Sequence, residues 1–511
     1  MSIEIIKENF SIEEIVGSGE TQNLLETEIY LNIPVEEVEK IIWVEGKVII
    51  GNTMIIKDKI LVSGSVRYHL LSKDKEEGLH VLESSKEFNE EINIHGIKED
   101  MEAKVQGKIE YIEYELEENK IAVKTLINLE GQVENLKSLE VIKEIGDSTT
   151  LETQKESLNY RESYGKDKSA IDIEENFTID SSKGEIEKVI KFFVDPQEIE
   201  STVIEDRIVL SGEALVTIVY LGDGEIYSHK ETLPFNHFLE IPGASEGAKS
   251  AVDLRVEEAS YEILQDEEDR LRRVNVSIKL QAEGKVYRQN SKKLLIDAYS
   301  IKEEIYLEKE EISILEDIDT VEYDEKISLE IPLNAIDVLD IKSEHFILDK
   351  VYEDGKIIVE GILDLNIYYI DRIEGEIDRF KGEFPFKVET PFEGEEEKYI
   401  LNISSKLDFL DYTIKRDNIA IDTSIFFQIA LRKEKRIFAI KDIEQTGEMI
   451  DKKAKPSIII YIVQRGDLLW DIAKRYNTTT GEILSSNGFV SDYQLKVGDK
   501  IIIEKNLELL V

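Results

Sequence analysis

Between residues 356 and 371 apolar and polar side chains alternate: Ile357, Val359, Leu363, Leu365 and Ile367 fall on every second position, with Glu360, Asp364 and Asn366 between them. A two-residue period puts the apolar groups on one face of an extended strand, whereas a helix of 3.6 residues per turn would scatter them. The same stretch is written three times. Lys59-Ile-Leu-Val-Ser-Gly64, Arg207-Ile-Val-Leu-Ser-Gly212 and Lys356-Ile-Ile-Val-Glu-Gly361 each run into a further alternation, and Gly64, Gly212 and Gly361 lie 148 and 149 positions apart. That spacing identifies an internal repeat. Glycine weakens a strand interior, so its return at one register predicts a bulge or a close backbone approach.

Each repeat follows one plan. A leading strand (Ile5–Ile12, Leu151–Leu158, Ile305–Ile314) precedes a second strand, clearest at 28–34 and 326–332. Val35, Val38, Ile41 and Ile42, and again Ile186, Val189 and Ile190, then recur at helix-like spacing, which predicts about one short amphipathic helix per repeat. The glycine-centred strand follows. A connection bearing aromatic residues and proline comes next, Leu233-Pro-Phe235 matching Phe384-Pro-Phe386, and two closing strands are separated by turn residues at 118–120, 266–269 and 416–418. Many strands with short turns predict antiparallel, sandwich- or barrel-like units and a mainly β protein. The expected boundaries are 1–145, 146–298 and 299–441 for the repeats, 442–457 for a linker with Gly447, Lys452, Lys453, Lys455 and Pro456, 458–505 for a small α/β module, and 506–511 for an apolar tail.

The module has the most specific sequence. Tyr461-Ile-Val starts as a strand, Gly466-Asp467 turns, and Leu469, Ile472, Ala473 and Tyr476 share one helical face. Asp467 is expected to cap this helix and Thr480 a second one containing Ile483 and Leu484; Asn487-Gly488 ends it, and residues 495–503 supply a turn and a closing strand. The order is strand, helix, helix, strand.

Residues 461 to about 505 resemble a LysM module: the tyrosine-led strand, Gly-Asp-x-Leu-Trp-x-Ile-Ala, Asn487, and Leu-x-x-Gly before the last strand stand in register. The resemblance implies a shallow groove for N-acetylglucosamine-containing glycans, with Gly466, Asp467, Leu468, Asn487, Phe489 and Leu495 along or beside it, and Leu469, Trp470, Ile472 and Ile483 holding the small fold together. Two positions depart from the family. Leu468 stands where a threonine is usual, which removes a hydroxyl from the groove, and Ile501-Ile-Ile-Glu504 replaces the usual Ile-Pro ending. An exposed leucine favours a protein partner over a sugar. Strand-rich repeats of about 150 residues ahead of one LysM resemble the SPOCS-LysM proteins of endospore-forming bacteria. What this implies is a mother-cell protein at the forespore surface that links the spore coat to a basement-layer ATPase, with LysM as the docking module.

Composition narrows the alternatives. There are 63 Lys and Arg against 109 Asp and Glu, a formal charge of −46, so nucleic acid and anionic membrane are poor partners. A hydrophobic content of 41% in period-2 runs can still build cores, which argues against disorder. The absence of cysteine excludes disulfides, thiolate zinc sites and thiol catalysis. The first residues lack a basic region followed by an apolar core, and Ile458–Val463 is far shorter than the roughly 18 residues of a membrane span, so the expectation is a chain that stays in the compartment where it is made.

Candidate chemistry is sparse. His69, His80, His95, His229, His237 and His345 form no metal-binding pair, His229 and His237 reading as turn residues, and no phosphate loop or nucleophile elbow is present. Among 109 acids a close carboxylate pair carries no information about glycosidase chemistry. Runs such as Asp266–Asp269 and Glu395–Glu397 read as solvated turns, with weak calcium binding a minor option. The reading is a non-catalytic, cofactor-free adaptor of spore-coat assembly. Its rivals are a peptidoglycan-binding wall protein and a self-assembling coat subunit.

Overall fold

The computed structural model describes residues 4–76, 78–146, 150–394, 398–451, 456–490 and 493–504; Glu395–Glu397, the linker lysines Lys452, Lys453 and Lys455, and the apolar tail lie outside the described residues. Among the described residues each repeat contains six strands. Repeat 1 has β1 (Ile5–Tyr30), β2 (Val38–Ile56), β3 (Lys59–Asp74), β4 (Leu79–Asn93), β5 (Glu102–Glu117) and β6 (Lys120–Ile145). Repeat 2 has β7 (Leu151–Thr178), β8 (Lys188–Ile204), β9 (Arg207–Gly222), β10 (Glu225–Glu240), β11 (Lys249–Gln265) and β12 (Leu271–Ser300), and repeat 3 has β13 (Glu303–Ile331), β14 (Ala335–Glu353), β15 (Lys356–Asp371), β16 (Ile377–Pro391), β17 (Ile400–Ile414) and β18 (Ile419–Met449). The second, third and fourth strands of a repeat form one antiparallel sheet, and the first, sixth and fifth form another. Their inner faces enclose one core per repeat, lined in repeat 3 by the alternating Ile357, Val359, Leu363, Leu365 and Ile367.

The repeated glycine is a contact between three strands. Gly64, Gly212 and Gly361 stand directly opposite Phe88, Phe235 and Phe386 on the next strand. A Cβ on Gly361 would lie 2.3 Å from the Phe386 ring and 2.4 Å from the Phe346 carbonyl oxygen, so only a missing side chain lets the ring cross the strand. The bulge expected at this register lies on the other neighbouring strand, between Ile50 and Asn52, Glu198 and Glu200, and Ile347 and Asp349. It expels Ile199 and Leu348 to 60% and 66% exposure.

Other expectations change. Among the described residues of these stretches no α-helix forms: Val35–Glu37 is one 3-10 turn, and the rest of that stretch is β2, as Lys188 onward is β8. Register shifts at Val38/Lys40, Ile41/Trp43 and Val189/Lys191 each add a residue to one strand, which stretches a two-residue period into helix-like spacing. The leading and second strands of each repeat are one long strand, because β1 pairs with β6 from Ile5 to Tyr30 across a bulge at Ile15/Gly17. The proline-bearing connections are strands β10 and β16, where Pro234 and Pro385 lie on sheet edges that need no amide donor. His229 and His237 accordingly sit in β10 rather than in a turn. Strand β12 runs two residues past 298 and β18 runs to Met449, well past 441, because both stay paired with the first strand of their own repeat.

These long strands bring the repeats together. Beyond each sandwich the first and last strands continue as a two-stranded ribbon, and the three ribbons share a core of Phe10, Ile12 and Leu139 from repeat 1, Leu158, Tyr160 and Leu294 from repeat 2, and Ile312, Ile314 and Ile437 from repeat 3. At the opposite end Trp43 and Leu71, Ile190 and Val219, and Leu339 and Tyr368 form a second shared cluster. The repeats therefore surround one pseudo-threefold axis, with a stem at one end and heads at the other. At ~3.3 Å per residue, the 29-residue β13 extends about 90 Å along the molecule.

Candidate functional site

The C-terminal module is β19 (Ile458–Ile462), α1 (Leu469–Tyr476), α2 (Thr480–Ser486) and β20 (Lys500–Glu504), with the two strands antiparallel. Ile472, Ala473, Ile483, Ile501 and Ile503 form its buried centre, and Leu469 and Trp470 are partly buried against it. Asp467 does not cap α1. The N-cap is Leu468, and the Asp467 carboxylate accepts from the Gln464 amide and the Tyr461 hydroxyl, both at 2.7 Å. The amide bond, then the tyrosine, hold its pKa below the ordinary carboxylate range, so the charge secures the loop. The second helix is capped by Thr479, one residue before the expected Thr480, in a reciprocal box with Glu482.

The groove residues have separate tasks. Gly466 is exposed at φ 89°, the left-handed turn that brings the chain into α1. Asn487 is consumed by the fold: its amide donates to the carbonyls of Ile483 and Ile502 at 2.8 and 2.7 Å, and its oxygen accepts from the Ile502 amide at 2.7 Å. Phe489 and Leu495 pack on the module core, Phe489 also stacking on Tyr493 with ring centroids 4.0 Å apart. Of the six, Leu468 is the large side chain that points outward, 59% exposed. Val490 and Val497, in the loop after α2, are exposed to a similar degree.

The module is seated on the stem. Trp470 donates its indole N–H to Asp297 at 2.8 Å, and the Lys474 ammonium, one helical turn on, reaches both oxygens of the same carboxylate at 2.8 and 2.7 Å. Tyr299 meets the Trp470 ring edge-on with centroids 4.9 Å apart and donates its hydroxyl to the Thr478 carbonyl at 2.8 Å. Burial alone would raise the Asp297 pKa, but the bonds from Lys474 and Trp470 hold it below the ordinary value. Trp470, expected to serve only the module core, is thus also the anchor to repeat 2. Sequence reasoning missed Asp297 and Tyr299, which lie 173 and 171 residues before Trp470 and carry no motif.

Among the described residues no group of three or more His, Asp or Glu side chains is arranged to hold a metal ion, and no helix is long and apolar enough to cross a membrane. A cavity of about 530 Å³ lies on the axis between stem and heads, and several of its charges are paired: Lys285 with Glu13 and Glu134, and Arg161 and Arg432 with Asp317.

Three fused β units sharing one axis, with a small βααβ module fixed to the stem, define a multidomain, mainly β protein. The family comparison gives the particular architecture: the SPOCS domain of SipL matches residues 37–117, 185–264 and 334–415, and the LysM domain matches 461–504. The chain is a SPOCS-plus-LysM protein, which makes it a sporulation protein carrying a module of the cell-wall-binding type, and both kinds of domain are non-catalytic binding domains. Each SPOCS match spans the second to fifth strands of a repeat, so the stem strands lie outside it. No curated protein and no solved structure gives a match.

Proposed function

We propose that the protein is a non-catalytic adaptor of spore-coat morphogenesis that docks through its LysM module on the coat ATPase at the forespore surface of the mother cell. The observation behind this reading is the chemistry of the groove. Sugar recognition uses a few convergent polar groups, yet here the Asn487 amide and one oxygen of the Asp467 carboxylate are engaged by the module's own backbone and Tyr461, while Leu468 faces solvent. An exposed apolar residue on such a rim gains most by burial against another protein, and a fully buried leucine contributes about 1.5–3 kcal/mol. Peptidoglycan binding is the second reading, supported by the LysM match.

The test uses the full chain, because the module shares its core with Tyr299 and Ile301. Capture of the purified ATPase is measured beside co-sedimentation with peptidoglycan, for the native protein and for Leu468→Asp. The expected result is capture of the ATPase by the native chain and at least about tenfold weaker capture by the folded variant, the scale of a lost hot-spot side chain. Binding to peptidoglycan alone transfers the protein to the wall-binding class.

A further inference from the structure

The head end of the axis holds a buried polar network at positions where the repeats differ. Trp43, Lys191 and Asp340 are equivalent by the repeat spacing of 148 and 149, and all three are buried. Lys191 reaches Asp340 at 3.1 Å and Glu45 at 3.6 Å, and Lys342 reaches Glu45 at 3.0 Å. These pairs join all three repeats. His69 sits among them: its Nδ1 accepts the Trp43 indole N–H at 3.1 Å, and its Nε2 lies 3.0 Å from the carbonyl oxygen of Ile190 in repeat 2. The two contacts set the tautomer, because an imidazole that accepts at Nδ1 and donates from Nε2 is neutral with its proton on Nε2.

We propose that His69 is an acid-released latch between repeats 1 and 2: proton uptake at Nδ1 breaks the Trp43 bond and sets a cation beside Lys191, loosening the head end of the axis. The proton that arrives occupies the lone pair the indole needs, so the Trp43 donor loses its acceptor inside a packed cluster. The charged groups facing His69 act in both directions. Glu45 on β2 and Glu83 on β4 are its cross-strand neighbours and favour the cation. Lys191 on β8 opposes it, and Glu45 is already engaged by Lys342 and Lys191, whose partner Asp340 completes the set on β14. Burial, followed by Glu45 and Lys191 with opposing effects, leaves the His69 pKa below the ordinary 6.5. A histidine with a depressed folded pKa contributes its full stability above about 6.5 and loses it as pH falls toward the folded value.

The chain has two tryptophans, which makes the latch readable. Emission is followed from pH 7.5 to 4.5 in Trp470→Phe, where Trp43 is the remaining indole, and in the same background with His69→Gln, whose amide can accept from Trp43 and donate to Ile190 without titrating. The expected result is a sigmoidal loss and red shift of Trp43 emission with its midpoint below 6.5 in the first variant, absent in the second. If Trp470→Phe does not fold, the difference between the native chain and Trp43→Phe supplies the same signal. A flat Trp43 response, or a transition that persists in the His69→Gln background, overturns the proposal.

Discussion

A side chain that is absent carries as much of this fold as any that is present. At Gly64, Gly212 and Gly361 the ring of the facing phenylalanine occupies the volume of a Cβ, and the backbone of the bulged strand closes the other side. Gly361→Ala is therefore expected to destabilise repeat 3 by about 1–3 kcal/mol, the usual cost of overpacking. Chemical denaturation measures this, and pairing the change with Phe386→Leu should return part of the loss; a neutral Gly361→Ala would contradict the close approach. The glycine was legible in the sequence as a special position, because Gly is costly in a strand. Its partner was not, since phenylalanine recurs 24, 23 and 25 residues beyond the glycine and the variable turn between them hides the register. At the candidate groove the same limit applies. Leu468 stood out as a departure from a motif, whereas the internal use of Asn487 depends on where β20 returns.

At the scale of elements, bulges explain what periodicity misread. A strand with two added residues has apolar groups three and four apart, and Val38, Ile41 and Ile42 on β2 imitate a helical face for that reason. Contacts distant in sequence were equally hidden, and the seat of the LysM module is the clearest case. Asp297 receives three hydrogen bonds from Trp470 and Lys474 and a fourth from Lys309 of repeat 3 at 3.3 Å. Asp297→Asn should loosen the module by about 1.5–3 kcal/mol, the worth of hydrogen bonds to a charged group. A red shift of Trp470 emission and faster proteolysis between 450 and 458 would report this, and unchanged values would show that Tyr299 alone holds the seat. Because the Asp297 pKa is lowered, its contribution is full above about 3.8 and is lost as pH falls through the folded value, so the native contact should survive the acid range that releases His69.

For the whole molecule, the repeats are legible as three units and illegible as one body. Positions that face the axis have diverged, Trp43 becoming Lys191 and Asp340, so comparison of the copies reads them as noise although they are complementary parts of one interface. The consequence is cooperativity. Leu294 is fully buried in the stem among side chains of all three repeats, rather than in the core of repeat 2. Leu294→Ala should cost about 2–5 kcal/mol, as large-to-small changes in packed cores do. If the stem couples the repeats, hydrogen exchange should accelerate in β6 and β18 as well as in β12, because unfolding any ribbon exposes the shared cluster. Faster exchange confined to repeat 2 would mean that the ribbons touch without sharing stability. Coupling of this kind would make the stem one rigid shaft: a displacement at the LysM seat on Asp297 and Tyr299 would then be resisted through Leu294 by the other two repeats, instead of peeling repeat 2 away alone.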